Sequence, residues 1–458
     1  MVESKLRGDE IEELHGLASA HFWPHARQVG DMFGEMGIRL VASAEGSWIV
    51  DAEGERWFDT LAGMWLKNIG HGRREIADAV YRQMLDVSYT PGGTVSPATV
   101  NLAAKVASLA PDKESRVFFV SGGSEAVETA LKMAKQYHSN RGEPGRWKVI
   151  SRRGSYHGAT HGCISLGGGG SPPPGNSFGP LVPGNIHVAQ PNEYRCTFCR
   201  DRGGCNLECA QDVGRAIEHE GPASVAAFIG EPISAAAGIH VPHPEYWPTI
   251  REICDKHGVL MICDEVITGF GRTGKMFATE HWDVTPDIFT VAKAMTSGYL
   301  PIGGTIATKK VADAFAGDAD TTFRHLITFG GNPACCAAGL ANLEIMENEG
   351  MVENSARMGD YLFESLQTLY EYPIVGDVRG GKGLICGVEL VKNRDTREKF
   401  APEDKLAEKL TPIVARRGLL GRFGDIVPVA PPLCVTRDEI DFLVKAIGDS
   451  IAELQSTL

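Results

Sequence analysis

Four short apolar runs separated by amphipathic stretches constrain most strongly what this chain can fold into. The runs are Val117 to Val120, Ala226 to Ile229, Val259 to Cys263 and Ile288 to Val291. Each is partly β-branched and only four or five residues long, which is typical of strands buried on both faces. Helical patterns lie between them, for example over Ser124 to Tyr137 and Tyr246 to His257. This alternation predicts an α/β fold with a mainly parallel sheet covered by helices on both faces.

The length of 458 residues predicts a large domain and a smaller one, because a single core rarely grows beyond about 250–300 residues. A helix predicted over Pro333 to Glu349 would link the large domain to a second unit. That unit has strand-like runs at Ile385 to Leu390 and Pro428 to Leu433. Two segments look like insertions, a Gly/Pro-rich loop over Gly167 to Gly184 and a cysteine-rich segment over Pro191 to Glu208.

The formal net charge of −13 argues against general binding to nucleic acids or anionic membranes, because both partners would be repelled. Residues 1–26 contain no apolar core of the secretory kind. No uninterrupted apolar stretch approaches the ~18 residues needed to span a bilayer. Eleven cysteines in a chain of this kind suggest reduced thiols and a cytoplasmic location. We therefore expect a cytosolic globular enzyme without nucleic-acid or membrane partners.

Two charged side chains follow neighbouring runs at the point where each predicted strand ends. Asp264 follows Val259 to Cys263, and Lys293 comes 29 residues later, after Ile288 to Val291 and one alanine. The carboxyl ends of parallel strands are where open α/β sheets bind ligands, so both groups could face one ligand. Burying a carboxylate is costly unless a cation or hydrogen bonds compensate. A desolvated lysine amine has a lowered pKa and is suited to imine formation. Alternatively, the aspartate caps a turn and the lysine ends a solvated strand.

A glycine-rich turn leads from the first apolar run into a predicted helix. Gly122 and Gly123 allow the backbone to approach a ligand closely, and Ser124 suits the N-cap position. Free N–H groups at a helix N-terminus bind anions, so this turn could hold a phosphate. Taken alone, the turn is better interpreted as a plain capped connection.

These motifs together resemble the ordered signature of class III aminotransferases, the ω-amino acid and amine:pyruvate aminotransferases that depend on pyridoxal phosphate (PLP). The resemblance rests on residues 122–126 (GGSEA), 155–158 (SYHG), 230–232 (GEP), 264–274 (DEVITGFGRTG) and 292–293 (AK). It extends from about residue 40 to about residue 440 and so covers nearly the whole chain.

The resemblance implies a fold type I architecture, with a large PLP-binding domain and a smaller α+β domain built from both termini. On this basis residues 1–68 would be the N-terminal part of the small domain. The large domain would span residues 69–332, with the cysteine-rich insertion at about 191–209, and residues 333–458 would complete the small domain. The resemblance also implies a homodimer with active sites shared between subunits; whether dimers pair into tetramers stays open.

The resemblance further implies roles for the residues around the cofactor ring. Lys293 would be the catalytic residue, which holds PLP as a Schiff base and moves the proton between substrate and cofactor. Asp264 would pair with the pyridinium nitrogen and keep the ring an electron sink. Tyr156 and Val266 would cover the two ring faces. His157 would lie nearby, either as a catalytic or as a structural histidine.

A second group of residues would hold the phosphate and the hydroxyl side of the ring. The resemblance assigns Gly122, Gly123 and Ser124 to the phosphate, together with Thr328 of the neighbouring subunit. Glu231 would lie near the ring hydroxyl, where it could also pair with an arginine that binds substrate.

The activity implied is transfer of an amino group from an amine or ω-amino acid to a keto acid, commonly pyruvate, in a ping-pong cycle between PLP and pyridoxamine phosphate. An aminomutase or decarboxylase would share Lys293 and Asp264, and alanine formation would distinguish it. A non-catalytic homologue is disfavoured by the complete set of Lys293, Asp264 and Tyr156. A nicotinamide-dependent oxidoreductase is a remote alternative, since residues 269–274 match G-x-G-x-x-G. That match is poor, because a weak helix opening follows it and two carboxylates precede it.

Four cysteines lie close together in the second insertion, with the spacing C-x2-C-x5-C-x3-C. They are Cys196, Cys199, Cys205 and Cys209. Close pairs of thiolates can bind structural Zn or an Fe–S cluster, although this spacing is not a standard zinc pattern. The alternative is a reduced, cysteine-rich loop or an occasional disulfide.

Three positions bear on substrate choice. Trp65 resembles a residue that lines the substrate pocket of the family, although a core tryptophan is a fair alternative. Many relatives carry a carboxylate-binding arginine where this chain has Gly421, and Arg422 stands one residue late. We expect Arg422 to bind the substrate carboxylate, or else to face solvent. Residues 91–93 (PGG) replace bulky aromatics of several relatives, so we expect a pocket for longer or bulkier amines.

Overall fold

The computed structural model describes residues 8–26, 37–167, 178–199 and 204–458. The strands are β1 (Val41–Glu45), β2 (Trp48–Asp51), β3 (Arg56–Asp59), β4 (Arg116–Val120), β5 (Lys148–Arg152), β6 (Asn185–Val188), β7 (Val225–Gly230), β8 (Leu260–Asp264), β9 (Ile288–Val291), β10 (Gly303–Ala307), β11 (Val375–Arg379), β12 (Cys386–Leu390), β13 (Leu419–Leu420) and β14 (Ile426–Val429). The helices are α1 (Gly8–His21), α2 (Ala62–Trp65), α3 (Arg74–Asp86), α4 (Pro97–Leu109), α5 (Gly123–Asn140), α6 (His161–Leu166), α7 (Glu208–Glu220), α8 (Tyr246–His257), α9 (Lys309–Asp313), α10 (Pro333–Asn348), α11 (Met351–Gln367), α12 (Leu406–Ala415) and α13 (Arg437–Thr457).

The centre of the fold is a seven-stranded sheet in the order β4-β10-β9-β8-β7-β5-β6. Strand β10 runs antiparallel to both of its neighbours, and the other four pairings of the sheet, from β9 across to β6, are all parallel. All residues of β7, β8, β9 and β10 are buried, as their continuous apolar sequences require. The predicted α/β fold with a mainly parallel sheet is confirmed.

Two smaller sheets combine segments that are far apart in the chain. One has the order β1-β2-β3-β13, in which Leu419 of β13 pairs in parallel with Phe58 of β3. The other has the order β11-β12-β14 and is antiparallel throughout. The first sheet therefore joins the N-terminal strands to a C-terminal segment, beside the central sheet.

The predicted strand over Pro428 to Leu433 is wrong in its position. Strand β14 ends at Val429, because Pro431 and Pro432 follow and neither has an N–H group to donate to a ladder. Pro428 itself lies inside the strand and pairs with Gly387. It is tolerated there because β14 is an edge strand.

In the part that the structure describes, the two insertions are turns and irregular chain up to residue 207. These residues are 167 and 178–184 of the Gly/Pro-rich segment and 191–199 and 204–207 of the cysteine-rich segment, whose last residue, Glu208, begins α7. The remainder of the two predicted loops, residues 168–177 and 200–203, lies outside the described residues.

The long C-terminal helix α13 has 21 residues and closes the fold. Its N-cap residue Thr436 accepts a hydrogen bond from the Glu439 N–H, and the Glu439 carboxylate accepts one from the Thr436 N–H in return. Its buried face is apolar and its other face is charged. Among the described residues, none of the helices combines the length and apolarity that a membrane crossing needs.

A buried arginine connects the central sheet to both ends of the chain. Arg272, on the loop after β8, has no exposed surface. Its Nη1 donates to the carbonyls of Leu384 (3.0 Å) and Pro431 (2.6 Å), and its Nη2 donates to Asn68 Oδ1 (2.6 Å). Burial lowers the pKa of the guanidinium to about 9. The glycine-rich loop that matches G-x-G-x-x-G is therefore a buried structural connection, and at Gly274 an added Cβ would lie 2.8 Å from the Ala356 backbone.

Replacing Arg272 with alanine should lower the free energy of unfolding by about 3 kcal/mol, because three buried acceptors lose their donor. The measurement is urea unfolding followed by tryptophan fluorescence. Arg74→Ala is the control, since the Arg74 side chain is 87% exposed and its loss should change stability by less than about 0.5 kcal/mol. Equal effects of the two substitutions would contradict the role assigned to Arg272.

Candidate active site

A cavity of about 270 Å³ lies beyond the carboxyl ends of β8 and β9. Polar and charged side chains line part of it, and the rest of the wall is apolar. The lining residues include Ser121, Gly122, Gly123, Ser124, Tyr156, His157, Glu231, Asp264, Val266 and Lys293. Nine of the cofactor-site residues that the sequence singled out, from Gly122 to Lys293, thus border a single cavity.

Lys293 follows β9 after Ala292 and holds a left-handed backbone, with φ of +38°. Such a conformation is strained for a residue with a side chain and is typical of functional sites. The side chain borders the cavity and is half-buried. Protein packed around the amine lowers its pKa to about 8, although the negative charges of Asp264 and Glu231 oppose the shift. The neutral, nucleophilic fraction of the amine near neutral pH is therefore larger than that of an ordinary lysine.

Asp264 is the last residue of β8 and is held by three hydrogen bonds. Its Oδ1 accepts from the Val266 N–H (3.1 Å) and from the Thr290 hydroxyl (3.0 Å). Its Oδ2 lies 2.7 Å from His157 Nδ1. The contact with Thr290 follows from the parallel pairing of β8 with β9, in which Asp264 and Thr290 are direct partners. The carboxylate therefore has a single defined orientation at the cavity.

His157 is buried, and its second ring nitrogen, Nε2, has no hydrogen-bond partner among the described residues. Its interaction with Asp264 is between two almost fully buried side chains. A histidine in this position sets the orientation of the carboxylate and lies within the wall of the cavity.

Glu231 follows β7 and supplies the second carboxylate at the cavity. Its Oε1 accepts from the Tyr156 N–H (3.2 Å) and the Ser234 hydroxyl (3.1 Å), and its Oε2 accepts from the Ala235 N–H (3.1 Å). Burial raises the pKa of this carboxyl group, while His157 and Arg152 act in the opposite direction. Glu231 therefore connects the Tyr156 backbone to the end of β7 by a hydrogen bond.

The start of helix α5 forms the part of the cavity suited to an anion. Gly122, and not Ser124 as predicted, is the N-cap, and no side chain caps the first turn. The Ser124 hydroxyl instead accepts the Ala159 N–H at 3.0 Å. A Cβ added at Gly123 would lie 2.9 Å from Val266 Cγ1, and one at Gly158 would lie 2.5 Å from Ser124 Oγ. Only glycine allows this close packing, and the helix N–H groups remain available to an anion.

Arg422 lies on the exposed segment between β13 and β14, outside the lining of the cavity. Its charge nevertheless acts on Tyr156: burial raises the pKa of that phenol, and Arg422 lowers it in part. The preceding Gly421 has no space for a side chain, since a Cβ there would lie 2.0 Å from Thr60 Oγ1. An arginine at 421 would not fit this fold.

Two residues predicted for the site do not line the cavity of this chain. Trp65 is 7% exposed and belongs to the hydrophobic core, and its neighbour Leu66 borders the cavity instead. Thr328 lies on an exposed turn before α10, where its carbonyl accepts a hydrogen bond from the Tyr89 hydroxyl at 3.0 Å.

Sequence reasoning missed Thr290 and the apolar wall. The wall comprises Leu66, Ile233, Ile267, Leu300, Pro301 and Ile302. Thr290 could have been found from its place three residues before Lys293. In a parallel pairing of the two predicted strands, this position lies beside Asp264 at the end of the neighbouring strand. The apolar residues carry no chemical signal, since their sequences resemble those of core positions.

The predicted metal site at the cysteine cluster is not supported. Cys196, Cys199, Cys205 and Cys209 line a second cavity of about 270 Å³. However, no group of three or more His, Cys, Asp or Glu side chains in the described residues is arranged to hold a metal ion. The Cys199 thiol donates to Asn206 Oδ1 (2.8 Å), and Cys196 Sγ accepts the Cys199 N–H (3.3 Å). All four cysteines are free thiols.

The geometry of the main cavity fits PLP. An amine that carries a lowered pKa can bind an aldehyde, and a fixed carboxylate on the neighbouring strand can face a ring nitrogen. The uncapped start of α5 can bind a phosphate in the same cavity. The glycines that allow close packing there leave room for such a group.

Comparison with known proteins identifies the family. The model of the class III aminotransferase family matches residues 33–451. The putrescine–pyruvate aminotransferase of Pseudomonas aeruginosa is 36% identical over 448 residues, which is 97% of this chain and 96% of that protein. The crystal structure of an (S)-enantioselective ω-transaminase from Thermomicrobium roseum is 42% identical, with a TM-score of 0.92, and covers 97% of this chain and 98% of its own.

A PLP-bound structure shows the same fold. It is an amine transaminase from an uncultivated Pseudomonas species, 37% identical to this chain, with a TM-score of 0.89 and coverage of 95% of this chain and 99% of its own. The family excludes the nicotinamide-dependent alternative. The chain belongs to the class III aminotransferases, PLP-dependent enzymes that move an amino group from an amine to a keto acid.

Proposed function

We propose that this aminotransferase takes amino groups from amines with an apolar substituent and delivers them to pyruvate, with Lys293 as the catalytic residue. The observation that carries the proposal is the placement of the Lys293 amine and the Asp264 carboxylate in one cavity. Asp264 ends β8 and Lys293 follows β9, its parallel neighbour, and the Asp264 carboxylate partly offsets the effect of burial on the pKa of the Lys293 amine. The family relatives that act on pyruvate support the choice of acceptor.

Bound PLP supplies an aldehyde for amine exchange and a ring that withdraws electrons from the substrate carbon. The work of the protein is then divided among a few side chains. Lys293 Nζ takes the proton from the substrate Cα, for which a pKa of about 8 is well matched to neutral pH. Asp264, fixed by Thr290 and His157, stabilises a protonated ring nitrogen. Glu231 accepts the Tyr156 N–H and so holds that backbone in place, and it would lie at the ring hydroxyl side of the bound cofactor.

The remaining cofactor contacts follow from the shape of the cavity. Tyr156 and Val266, which both line it, would cover the faces of the ring. Gly122, Gly123 and Ser124 would bind the phosphate through the start of α5. Thr328 is not among the described residues that line this cavity. As the family resemblance implies, Thr328 would instead contact the cofactor phosphate of a second subunit.

A homodimer is supported by the exposed apolar residues near that turn. Leu326 is 81% exposed and Phe329 is 64% exposed, and they flank Thr328 in the chain. Helix α3 adds Tyr81, Met84 and Leu85, all more than half exposed. Apolar surface of this extent marks a protein interface, and a second copy that receives Thr328 accounts for it.

Arg422 is proposed as the group that binds the carboxylate of the keto acid. Its charge reaches Tyr156, and Gly421 leaves no space for the arginine that relatives carry one position earlier. Arg422 is exposed and forms no ion pair with a described residue, so it is free to approach an acid and to withdraw for an amine.

The apolar wall and the open loop at residues 91–93 support an amine with a long or bulky apolar substituent. Leu66, Ile233, Leu300 and Ile302 offer no charged partner to such a substituent. A Cβ at Gly92 or Gly93 would meet no atom within 4 Å, so this loop leaves space.

We also propose the division into residues 1–68, 69–332 and 333–458, with the first and last forming one small domain. The pairing of β13 with β3 supports it, because residues 419–420 join the N-terminal strands. A cytoplasmic location is proposed as well, since all eleven cysteines are free thiols.

Lys293→Ala should abolish alanine formation from an amine and pyruvate, with a loss of at least about a thousandfold in kcat, because none of the other described residues that line the cavity is a lysine. Alanine is measured by chromatography across a panel of amine donors. Lys275→Ala, at an exposed position, is the control and should retain activity. Substrate consumption without alanine in the unaltered enzyme would favour an aminomutase or decarboxylase instead.

The rate at which the cofactor-free protein takes up PLP should rise with pH, with a midpoint near pH 8, because only the neutral Lys293 amine attacks an aldehyde. Stopped-flow absorbance measures it. Asp264→Asn removes a charge that raises the pKa of Lys293, so its midpoint should move to lower pH. A midpoint near 10.5, the ordinary lysine value, would contradict the assignment.

Arg422→Ala should raise the KM for pyruvate at least about tenfold, the size expected for losing a charge-assisted contact with a carboxylate. The KM for an amine donor without a carboxylate should not change, which provides an internal control. Arg74→Ala, a distant exposed arginine, should leave both constants unaltered. An equal rise in both KM values would indicate that Arg422 acts on the structure of the site and not on the acid.

A further inference from the structure

We propose that Tyr89 is a positioning residue that fixes the Thr328 turn of one subunit for the cofactor phosphate site of the second subunit. The proposal rests on the proposed function, in which Thr328 serves the partner's site. Tyr89 would influence the cofactor only indirectly, through the turn that carries Thr328. Its basis is the way the turn at residues 326–330 is attached to the rest of the chain.

The turn is held firmly at both ends but not in the middle. Upstream, the Thr129 hydroxyl lies 3.0 Å from His325 Nε2, and the His325 ring stacks on Phe118. Downstream, the Thr99 hydroxyl donates to the Gly331 carbonyl at 2.8 Å, and Asn332 Nδ2 donates to the Ser88 carbonyl at 3.2 Å. These contacts place the turn beside α4 and the loop that begins at residue 88.

Within residues 326–330, the Tyr89 hydroxyl is the one side-chain hydrogen-bonding group of the described chain that contacts the turn. It donates to the Thr328 carbonyl at 3.0 Å. The remaining hydrogen bonds given for these five residues are local backbone contacts, from the Gly330 N–H to the Ile327 carbonyl and from the Asn332 N–H to the Phe329 carbonyl. The orientation of the peptide after Thr328 therefore depends on Tyr89.

The turn also lacks freedom to relax toward the protein. A Cβ at Gly330 would lie 2.4 Å from the Phe119 carbonyl, so the turn already rests on the end of β4. Loss of the Tyr89 contact would let the Thr328 carbonyl rotate outward, toward solvent or a second subunit. Thr328 and Tyr89 are both exposed, and among the described residues neither lines the cavity that contains Lys293, so we assign this pair to the site of a second subunit.

Tyr89→Phe tests the proposal, because it removes the hydroxyl and keeps the ring. The apparent Kd for PLP, measured by titrating the cofactor-free dimer and following its visible absorption, should rise about threefold to tenfold, as expected for one hydrogen bond. Tyr361→Phe is the matched control: it likewise removes one tyrosine hydroxyl, which donates to the Asp441 carboxylate of α13 and lies outside the cofactor cavity. An unchanged Kd for Tyr89→Phe would overturn the proposal, as would a rise that sedimentation traces to separated subunits.

A double-mutant cycle shows whether Tyr89 acts through Thr328. Thr328→Ala should weaken PLP binding, and adding Tyr89→Phe to it should cause no further loss, because the positioned hydroxyl is already absent. A purely structural role of Tyr89 would give additive effects on the Kd, which would overturn the proposal.

Hybrid dimers identify the subunit that is affected. Lys293→Ala in one chain leaves a single site with the visible absorption of lysine-bound cofactor. That site should hold PLP weakly when Tyr89→Phe is in the chain that lacks Lys293, and normally when it is in the chain that keeps Lys293. The reverse pattern would overturn the proposal, whereas loss of the visible band from every dimer would instead refute the role of Lys293.

Discussion

The parallel pairing of β8 with β9 is the constraint on which the site depends. It makes Asp264 and Thr290 direct partners, so that the Thr290 hydroxyl fixes the carboxylate. The chain then continues from Thr290 to Lys293 within three residues and turns through a strained backbone at the lysine. Any slip of register between these two strands would separate the carboxylate from the amine. The catalytic geometry is thus a consequence of the central sheet.

Burial of charge gives the site its chemical character. Water is largely replaced by protein around Lys293 and Glu231, which lowers the pKa of the amine and raises that of the carboxyl group. Burying such groups costs stability unless hydrogen bonds compensate. Here backbone N–H groups, hydroxyls and His157 form hydrogen bonds with the carboxylates of Asp264 and Glu231. The amine keeps no such partner among the described residues, and this leaves it available for reaction.

The helices, the strands and most residues that border the main cavity were predictable, because strand ends and glycine-rich turns carry local signals. The predictions failed where neighbours in space decide. Gly122 and not Ser124 is the N-cap, since Ser124 is engaged by Ala159 from another segment. Leu66 and not Trp65 borders the cavity. The cysteine spacing suggested a metal, yet the Cys199 thiol donates a hydrogen bond to Asn206. No periodicity in the sequence predicts that contact.

The sequence by itself determined the alternation of strands and helices and the order of motifs that belongs to class III aminotransferases. It also determined that an amine and a carboxylate stand at two strand ends, because local propensity and spacing suffice for those conclusions. Only the tertiary structure decided that Gly421 has no room for an arginine, that Arg272 joins both chain ends to the sheet, and that Tyr89 holds the Thr328 turn. Each of these contacts links residues distant in sequence, and packing in three dimensions selects such partners.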